Sequence, residues 1–251
     1  MENLELLIDL HKYAIRQGPG GFKETEKAID LAMLDKTDGL KIADIGCGTG
    51  ASAILLAKQL NAQVTAVDFL SEFIDVLKEN STKEGVEDKI HPLVCSMEDL
   101  PFSDEEYDVI WSEGAIYNMG FEHGIKEWRR FLKPGGMLVV SEITWSSNSR
   151  PREIQAYWEK EYPEIDTASS KMKVLEKNGY SPLAYFLLPK HCWLDNYYRP
   201  MQRSFGDFLQ RNGSSEEAQI VVSSEENEIA LYEKYKQYYS YGMYIATKLD
   251  G

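Results

Sequence analysis

Cysteine is scarce in this 251-residue chain, basic charge is outweighed, and no apolar run approaches the length of a membrane span. The three cysteines, Cys47, Cys95 and Cys192, are far apart and form no CxxC pair, so neither a disulfide framework nor a sequence-local metal centre is indicated. His191 and Cys192 are adjacent, and two neighbouring residues do not make a metal site, so no metal is expected. With 27 Lys and Arg against 41 Asp and Glu the net charge is -14, which repels a polyanion and argues against nucleic acid as substrate. The N-terminal MENLELLIDLHKYAIRQG mixes acids with its apolar residues and lacks the basic leader and unbroken apolar core of a signal peptide. Its Leu4, Leu7, Ile8, Leu10 and Tyr13 recur at helical spacing, as expected of an amphipathic helix docked on the body of the protein. A reducing, cytoplasmic location follows as the expectation.

Between residues 40 and 142 strand-like and helix-like segments alternate, the pattern of a parallel sheet with crossover helices. Strands are expected at LKIADIG, QVTAVDF, KIHPLVCS, YDVIWSEG and GMLVVSEI, with helices over 51–60, 72–84 and 124–131. LKPGG makes a tight turn into the fifth strand. Beyond Trp145 the text turns helical and rich in Tyr and Trp, with a helix over 168–178, a strand LAYFLL over 183–188, two helical segments over 193–236 and a last strand YSYGMYIATK over 239–248. The expected fold is a single α/β domain spanning 1–251, with about seven mostly parallel strands and helical additions over one end of the sheet.

The segment LKIADIGCGTGASAILLAKQL breaks its strand on three glycines, Gly46, Gly48 and Gly50, before a helical run. Such a turn lets a ligand approach the backbone closely and points the first amides of the helix toward it. Gly46, Gly48 and Ala51 also satisfy the dinucleotide pattern G-x-G-x-x-G/A, and Asp68 at the end of the second strand suits the ribose hydroxyls of NAD or of any adenosine cofactor. An NAD-dependent oxidoreductase therefore stands as an alternative. Two features oppose it. Asp44 lies inside an apolar strand, where a carboxylate is costly unless paired, and the late YGMYIATK strand stands where a dinucleotide would require a second mononucleotide half.

The ordered motifs DIGCGTG, AVDF, SMEDLPF, YDVIWSEGAIYNMG and FLKPGGMLVVSE resemble those of the class I S-adenosylmethionine-dependent methyltransferases, in particular the small-molecule branch related to the ubiquinone and menaquinone C-methyltransferases. The resemblance implies a Rossmann-like sheet and S-adenosylmethionine as cofactor, with S-adenosylhomocysteine as product. It places Asp44, Gly46, Cys47 and Gly48 beside the methionine part, Asp68 on the ribose hydroxyls and Phe69 beside the adenine. Ser96, Met97 and Glu98 would border the adenine, with Ser96 standing where many relatives carry Asp, and Glu113 and Gly114 would lie under the sulfonium end. RQGPGG, residues 16–21, resembles the segment that closes over the cofactor, with Gln17 as its contact, so residues 1–37 are expected to cover the cofactor and 145–238 to include the lid.

Methyl transfer needs alignment and exclusion of water more than a fixed triad. Where an acceptor must lose a proton, Tyr117, His123 and His191 are the candidate bases, with Tyr117 and His123 the catalytic choices. The absence of an NPPY-type sequence, with SEGAIY in its place, argues against adenine or glutamine-amide acceptors. A small-molecule acceptor and a monomer or homodimer are expected, with a non-catalytic S-adenosylmethionine-binding protein as a further alternative. An anionic acceptor would need a local basic cluster, for which Arg150, Arg152 and Arg199 are the candidates.

Overall fold

The structure is a computed structural model and describes residues 2–34 and 37–250. Met1, Asp35 and Lys36 of the expected 1–37 cover, and Gly251, lie outside the described residues. Two helices, α1 (Glu2–His11) and α2 (Phe22–Leu31), precede an alternating run of β1 (Leu40–Ile45), α3 (Ala51–Gln59), β2 (Ala62–Asp68), α4 (Ser71–Lys83), β3 (Ile90–Val94), β4 (Tyr107–Ser112), α5 (Phe121–Trp128) and β5 (Leu132–Trp145). Then follow α6 (Arg152–Glu161), β6 (Asp166–Thr167), α7 (Ala168–Lys177), β7 (Tyr180–Leu187), α8 (Lys190–Trp193), a π-helical stretch Leu194–Tyr198, α9 (Arg199–Arg211), α10 (Glu216–Tyr235) and β8 (Tyr239–Lys248).

The strands assemble in the order β3-β2-β1-β4-β5-β8-β7, with β6 paired to β5. All pairings from β3 to β5 are parallel, whereas β8 runs antiparallel between β5 and β7. The interior strands are apolar on both faces because helices cover both sides. Ile42, Val64, Val109 and Val139 face a core shared with α2, α3, α9 and α10, while Ala43, Ile110, Leu138 and Val140 face α5 and α7. The expected α/β sheet is therefore present. β6, with two residues, is too short to leave an alternating pattern. LKPGG is not a turn ahead of β5: the strand already begins at Leu132, and the register with β4 jumps from Tyr107↔Leu132 to Val109↔Met137, so the Pro-Gly segment is accommodated as an irregularity within the strand.

The second half supplies β7 and β8 to the sheet, at the two strands expected over 183–188 and 239–248, the first beginning three residues earlier. An aromatic cluster packs it down: Trp193 stacks on Tyr232 at 4.5 Å between centroids and meets Tyr239 at 6.0 Å and Tyr241 at 5.1 Å. On the opposite face a buried ion pair ties α7 to β5, with Lys171 Nζ donating to Glu142 Oε1 at 3.0 Å and lying 4.6 Å from the Phe121 ring centre. Burial raises the Glu142 carboxyl above its ordinary value and the Lys171 charge opposes that rise. Removing one partner of such a pair leaves an uncompensated buried charge. Lys171→Ala is expected to lower the unfolding free energy by about 3–5 kcal/mol, and the double variant Lys171→Met/Glu142→Leu to recover most of it, as read by urea denaturation.

Candidate functional site

A cavity of about 690 Å³ opens at the carboxyl end of β1, β2 and β4, where the strand order reverses direction about β1. Its floor is the glycine turn. Gly46, Gly48 and Gly50 take φ of +78°, +55° and +94°, backbone that only glycine adopts without strain. At Gly46 a Cβ would lie 2.2 Å from the Ala115 Cβ, and at Gly48 one would lie 2.2 Å from Gln17 Oε1. The loop after β4 and the segment after α1 can close on the turn only because these side chains are absent.

Asp68, at the tip of β2, accepts the Gly48 amide at 2.9 Å through one oxygen and the Leu70 amide at 3.0 Å through the other. Burial raises its carboxyl, and the amides of Leu70, Gly48 and Phe69 pull it back. Asp44 is 1 % exposed, lines the cavity, and its Oδ2 has no hydrogen-bond partner. Burial pushes its carboxyl well above the ordinary value, the Glu113 charge adds to the rise, and Arg16 opposes it. Burial likewise holds the Cys47 thiol protonated and unreactive.

Glu113, just beyond β4, is the hub of the opposite wall. It accepts from Arg16 at 2.9 Å, Thr25 Oγ1 at 2.7 Å and the Trp111 indole at 3.0 Å, and the Arg16 and Glu113 side chains are only 8 % and 6 % exposed. Arg16 also donates to Thr25 Oγ1 at 3.1 Å, so the strap between α1 and α2 is bolted to the sheet. Gln17 of the same strap accepts the Thr49 amide at 3.0 Å and donates to the Ala14 carbonyl at 3.0 Å, lying across the glycine turn.

Of the residues the sequence put forward, Gln17, Asp44, Gly46, Cys47, Gly48, Asp68, Phe69, Ser96, Met97, Glu98, Glu113, Gly114 and Tyr117 all line this one cavity. Phe69 is 67 % exposed, an aromatic face left uncovered beside the turn. The Met97 carbonyl is held by the Trp128 indole at 3.2 Å, and Ser96 Oγ accepts the Glu98 amide at 3.2 Å. Tyr117 is 41 % exposed; desolvation of its hydroxyl raises the phenol above its ordinary value, the Asn118 side chain opposes the rise, and the Glu228 and Glu142 charges add to it. His123 is brought nowhere near: it is exposed on α5 and does not line the cavity. His191 also lies outside the lining and meets Glu24 at 3.1 Å. The histidine that does line the cavity is His11, at the end of α1, with its ring 6.1 Å from that of Tyr197.

The basic cluster considered for an anionic acceptor is elsewhere too, with Arg150 over the Trp145 ring at 4.2 Å and Arg199 paired with Asp195. Among the described residues Arg16 is the one Lys or Arg side chain in the lining, and Glu113 engages it. Arg16 and His11 were missed by sequence reasoning. Their signals were a cation two residues ahead of a Gly-Pro-Gly-Gly strap and a histidine one turn beyond Leu7 on an apolar helix face.

Residues 42–136 match the family described as methyltransferase domain. Among curated proteins the chain is 32% identical over 124 residues to the methyltransferase GfsG of Streptomyces halstedii, covering 49% of this chain and 44% of that protein. It is also 32% identical over 107 residues to the ubiquinone/menaquinone biosynthesis C-methyltransferase UbiE of Geotalea daltonii, covering 41% of this chain and 46% of that protein. The chain thus spans about half the length of the curated relatives it matches. Among solved structures it superposes with TM-score 0.82 and 19% identity on a SAM-dependent methyltransferase from Geobacter sulfurreducens in complex with S-adenosyl-L-homocysteine, covering 99% of this chain and 98% of that one. It superposes with TM-score 0.74 and 21% identity on the [4+2]-cyclase SpnF, covering 92% and 82%.

A raised carboxyl has a testable consequence for stability. Because Asp44 is harder to ionise in the folded chain than in the unfolded one, the fold is undiminished below the unfolded value of about 4 and loses stability as pH rises from there through the raised folded value. Asp44→Asn is therefore expected to raise the melting temperature of the ligand-free protein at pH 7 and to flatten its fall above pH 4, as measured by thermal melts from pH 4 to 8.

Proposed function

We propose that this chain, a class I S-adenosylmethionine-dependent methyltransferase by its matched domain and its fold, transfers the methyl group of S-adenosylmethionine to a small-molecule acceptor. The observation that carries the reading is the buried Asp44, which lines the cavity beside a glycine turn and whose Oδ2 has no hydrogen-bond partner. An uncompensated buried carboxylate is unfavourable by itself, and the α-ammonium of a methionine moiety is the group that would relieve it.

The other residues fit the rest of the cofactor. Asp68 holds one oxygen on the Gly48 amide of the turn and the other on the Leu70 amide ahead of α4, and each retains lone pairs for a ribose hydroxyl. Phe69 offers its open ring to the adenine, which Ser96, Met97 and Glu98 would border. Glu113 and Gly114 flank the methionine end, with Gly114 held by its amide donating to Ser141 Oγ at 2.7 Å. Gln17 and Arg16 hold the strap over it. When bound, the cofactor supplies a methyl carbon already activated by a cationic sulfur.

The chain's own work is to position and to dry the site. Leu4, Leu7 and Ile8 of α1 and Tyr197 of the π-helical stretch wall off the far side, and excluding water there strengthens every polar contact inside. Tyr117 holds its proton and donates to a polar atom of the acceptor. With Asp44, Asp68 and Glu98 in the lining and its one arginine paired, the site favours neutral or cationic acceptors over anionic ones.

The sheet itself opposes the oxidoreductase alternative, because antiparallel β8 and β7 stand where a second mononucleotide half would lie. Calorimetric titration with S-adenosylhomocysteine is expected to show binding, and titration with NAD none. Asp68→Ala removes two charge-assisted hydrogen bonds and is expected to weaken the thioether complex by roughly 100-fold or more. Binding of NAD alone would overturn the reading. Turnover with methyl-labelled S-adenosylmethionine over a panel of phenols, quinols and amines then separates an enzyme from a binding protein, a distinction that matters because a [4+2]-cyclase shares the fold.

A further inference from the structure

Behind the strap, outside the cavity lining, the fold gathers Glu24 of α2 with His191 and Cys192 of α8. One ligand atom from each, a carboxylate oxygen, an imidazole nitrogen and the thiol sulfur, lies within 4.8 Å of both others. His191 Nε2 and Glu24 Oε1 are 3.1 Å apart. The Glu24 residue is 8 % exposed, and its second oxygen, Oε2, has no hydrogen-bond partner. That oxygen sits against Gly21, where a Cβ would lie 2.1 Å from it and 3.0 Å from Asn196 Nδ2. Asn196 in turn donates to the Gly20 carbonyl at 2.7 Å. Strap, α2 and the stretch after α8 therefore meet around one buried carboxylate with an unused acceptor.

We propose that Glu24, His191 and Cys192 form a binding site for one divalent transition-metal ion of the zinc class. Thiolate, imidazole and carboxylate together are the donor set that such an ion takes, with water as a fourth ligand. Tetrahedral ligands at about 2.0–2.3 Å from a metal stand roughly 3.3–3.5 Å from one another in a set with one sulfur; the imidazole nitrogen and carboxylate oxygen at 3.1 Å are already near that spacing, and the sulfur needs to close by at most about 1.3 Å. Entry is open, because the His191 side chain is 45 % exposed. Binding releases the thiol proton, and the charge of the ion is met by the thiolate and the Glu24 carboxylate. The ion would pin α2 to α8 and so fix the strap that carries Arg16 and Gln17, a role independent of the acceptor and of methyl transfer. Adjacency of His191 and Cys192 was by itself no site; the third ligand comes from far away in sequence and is visible only in the fold.

Titration of the reduced, metal-free full chain with Co²⁺ tests this, because a cobalt–thiolate bond gives a charge-transfer absorption and tetrahedral coordination gives intense ligand-field bands. One equivalent is expected to produce both, and Zn²⁺ to bleach them. Cys192→Ser should abolish the charge-transfer band, while Cys95→Ser, at the partly exposed cysteine, should leave it intact. His191→Ala, an exposed substitution that the fold tolerates, should weaken Co²⁺ binding at least by the roughly 10- to 100-fold that loss of an outer-shell partner costs. It should also remove the rise in melting temperature that Zn²⁺ gives the wild type. No charge-transfer band in the wild type, its persistence in Cys192→Ser, or undiminished affinity in His191→Ala would each overturn the site. All of these readouts are independent of cofactor binding and turnover.

Discussion

Glu113 sits one residue past β4 at the carboxyl edge of a sheet that is apolar on both faces, and a carboxylate there is tolerable only with a countercharge and full hydrogen bonding. It obtains these from three directions: the Arg16 guanidinium, the Thr25 hydroxyl and the Trp111 indole. The first two belong to the N-terminal segment, so satisfying this one buried charge obliges the strap between α1 and α2 to fold back over the sheet. Once there, Gln17 reaches Thr49, α1 lies along the cavity, and the glycine turn has a roof. Cover and floor are thus joined by the Arg16–Glu113 pair and the Gln17–Thr49 bonds, alongside the apolar packing of Leu10, Ala28 and Ile29 into the core.

The same geometry explains the sign of the site. Asp44, Asp68, Glu98 and Glu113 converge on the lining with one arginine, which Glu113 engages. Asp68 is satisfied by backbone amides, Glu113 by Arg16, and Asp44 keeps one oxygen without a partner. The ligand-free fold therefore holds one buried carboxyl whose ionisation is opposed by its surroundings, a local feature kept at the expense of stability.

Much of the floor was readable beforehand because its determinants are local. A strand, three glycines, a helix and an acid at the tip of the next strand are each a short-range pattern, and they meet whenever a βαβ unit forms. The walls were not readable in that way. Arg16 acts through Glu113, nearly a hundred positions away, and His11 reached the cavity only because the strap folded back. His123 looked equally plausible on chemistry but lies on the solvent side of α5, where the apolar face formed by Phe121, Ile125 and Trp128 turns it outward. The Lys171–Glu142 pair did leave a trace. Glu142 continues the alternation of Leu138 and Val140 on a buried face, and Lys171 stands one turn from buried Leu175, so each is a charge at a core position. Pairing them required knowing that α7 lies against β5.

Division of the lining between the two parts of the chain bears on what can be carried over from relatives. Asp44, the glycines, Asp68, Ser96 to Glu98, Glu113 and Tyr117 all fall within residues 42–136, the span that matches the methyltransferase domain. Leu4, Leu7, Ile8, His11, Arg16, Gln17 and Tyr197 do not; of these, Gln17 and Arg16 reach the matched span directly, through Thr49 and Glu113. Sequence likeness concentrated in the first group speaks for the cofactor, whose shape is constant. The second group is set on α1, the strap and the π-helical stretch, outside the matched span, so the likeness to the family says nothing of the part of the wall it forms. A methyltransferase and a [4+2]-cyclase share this fold, so the sheet supplies a frame and the chemistry lies in the side chains set on it.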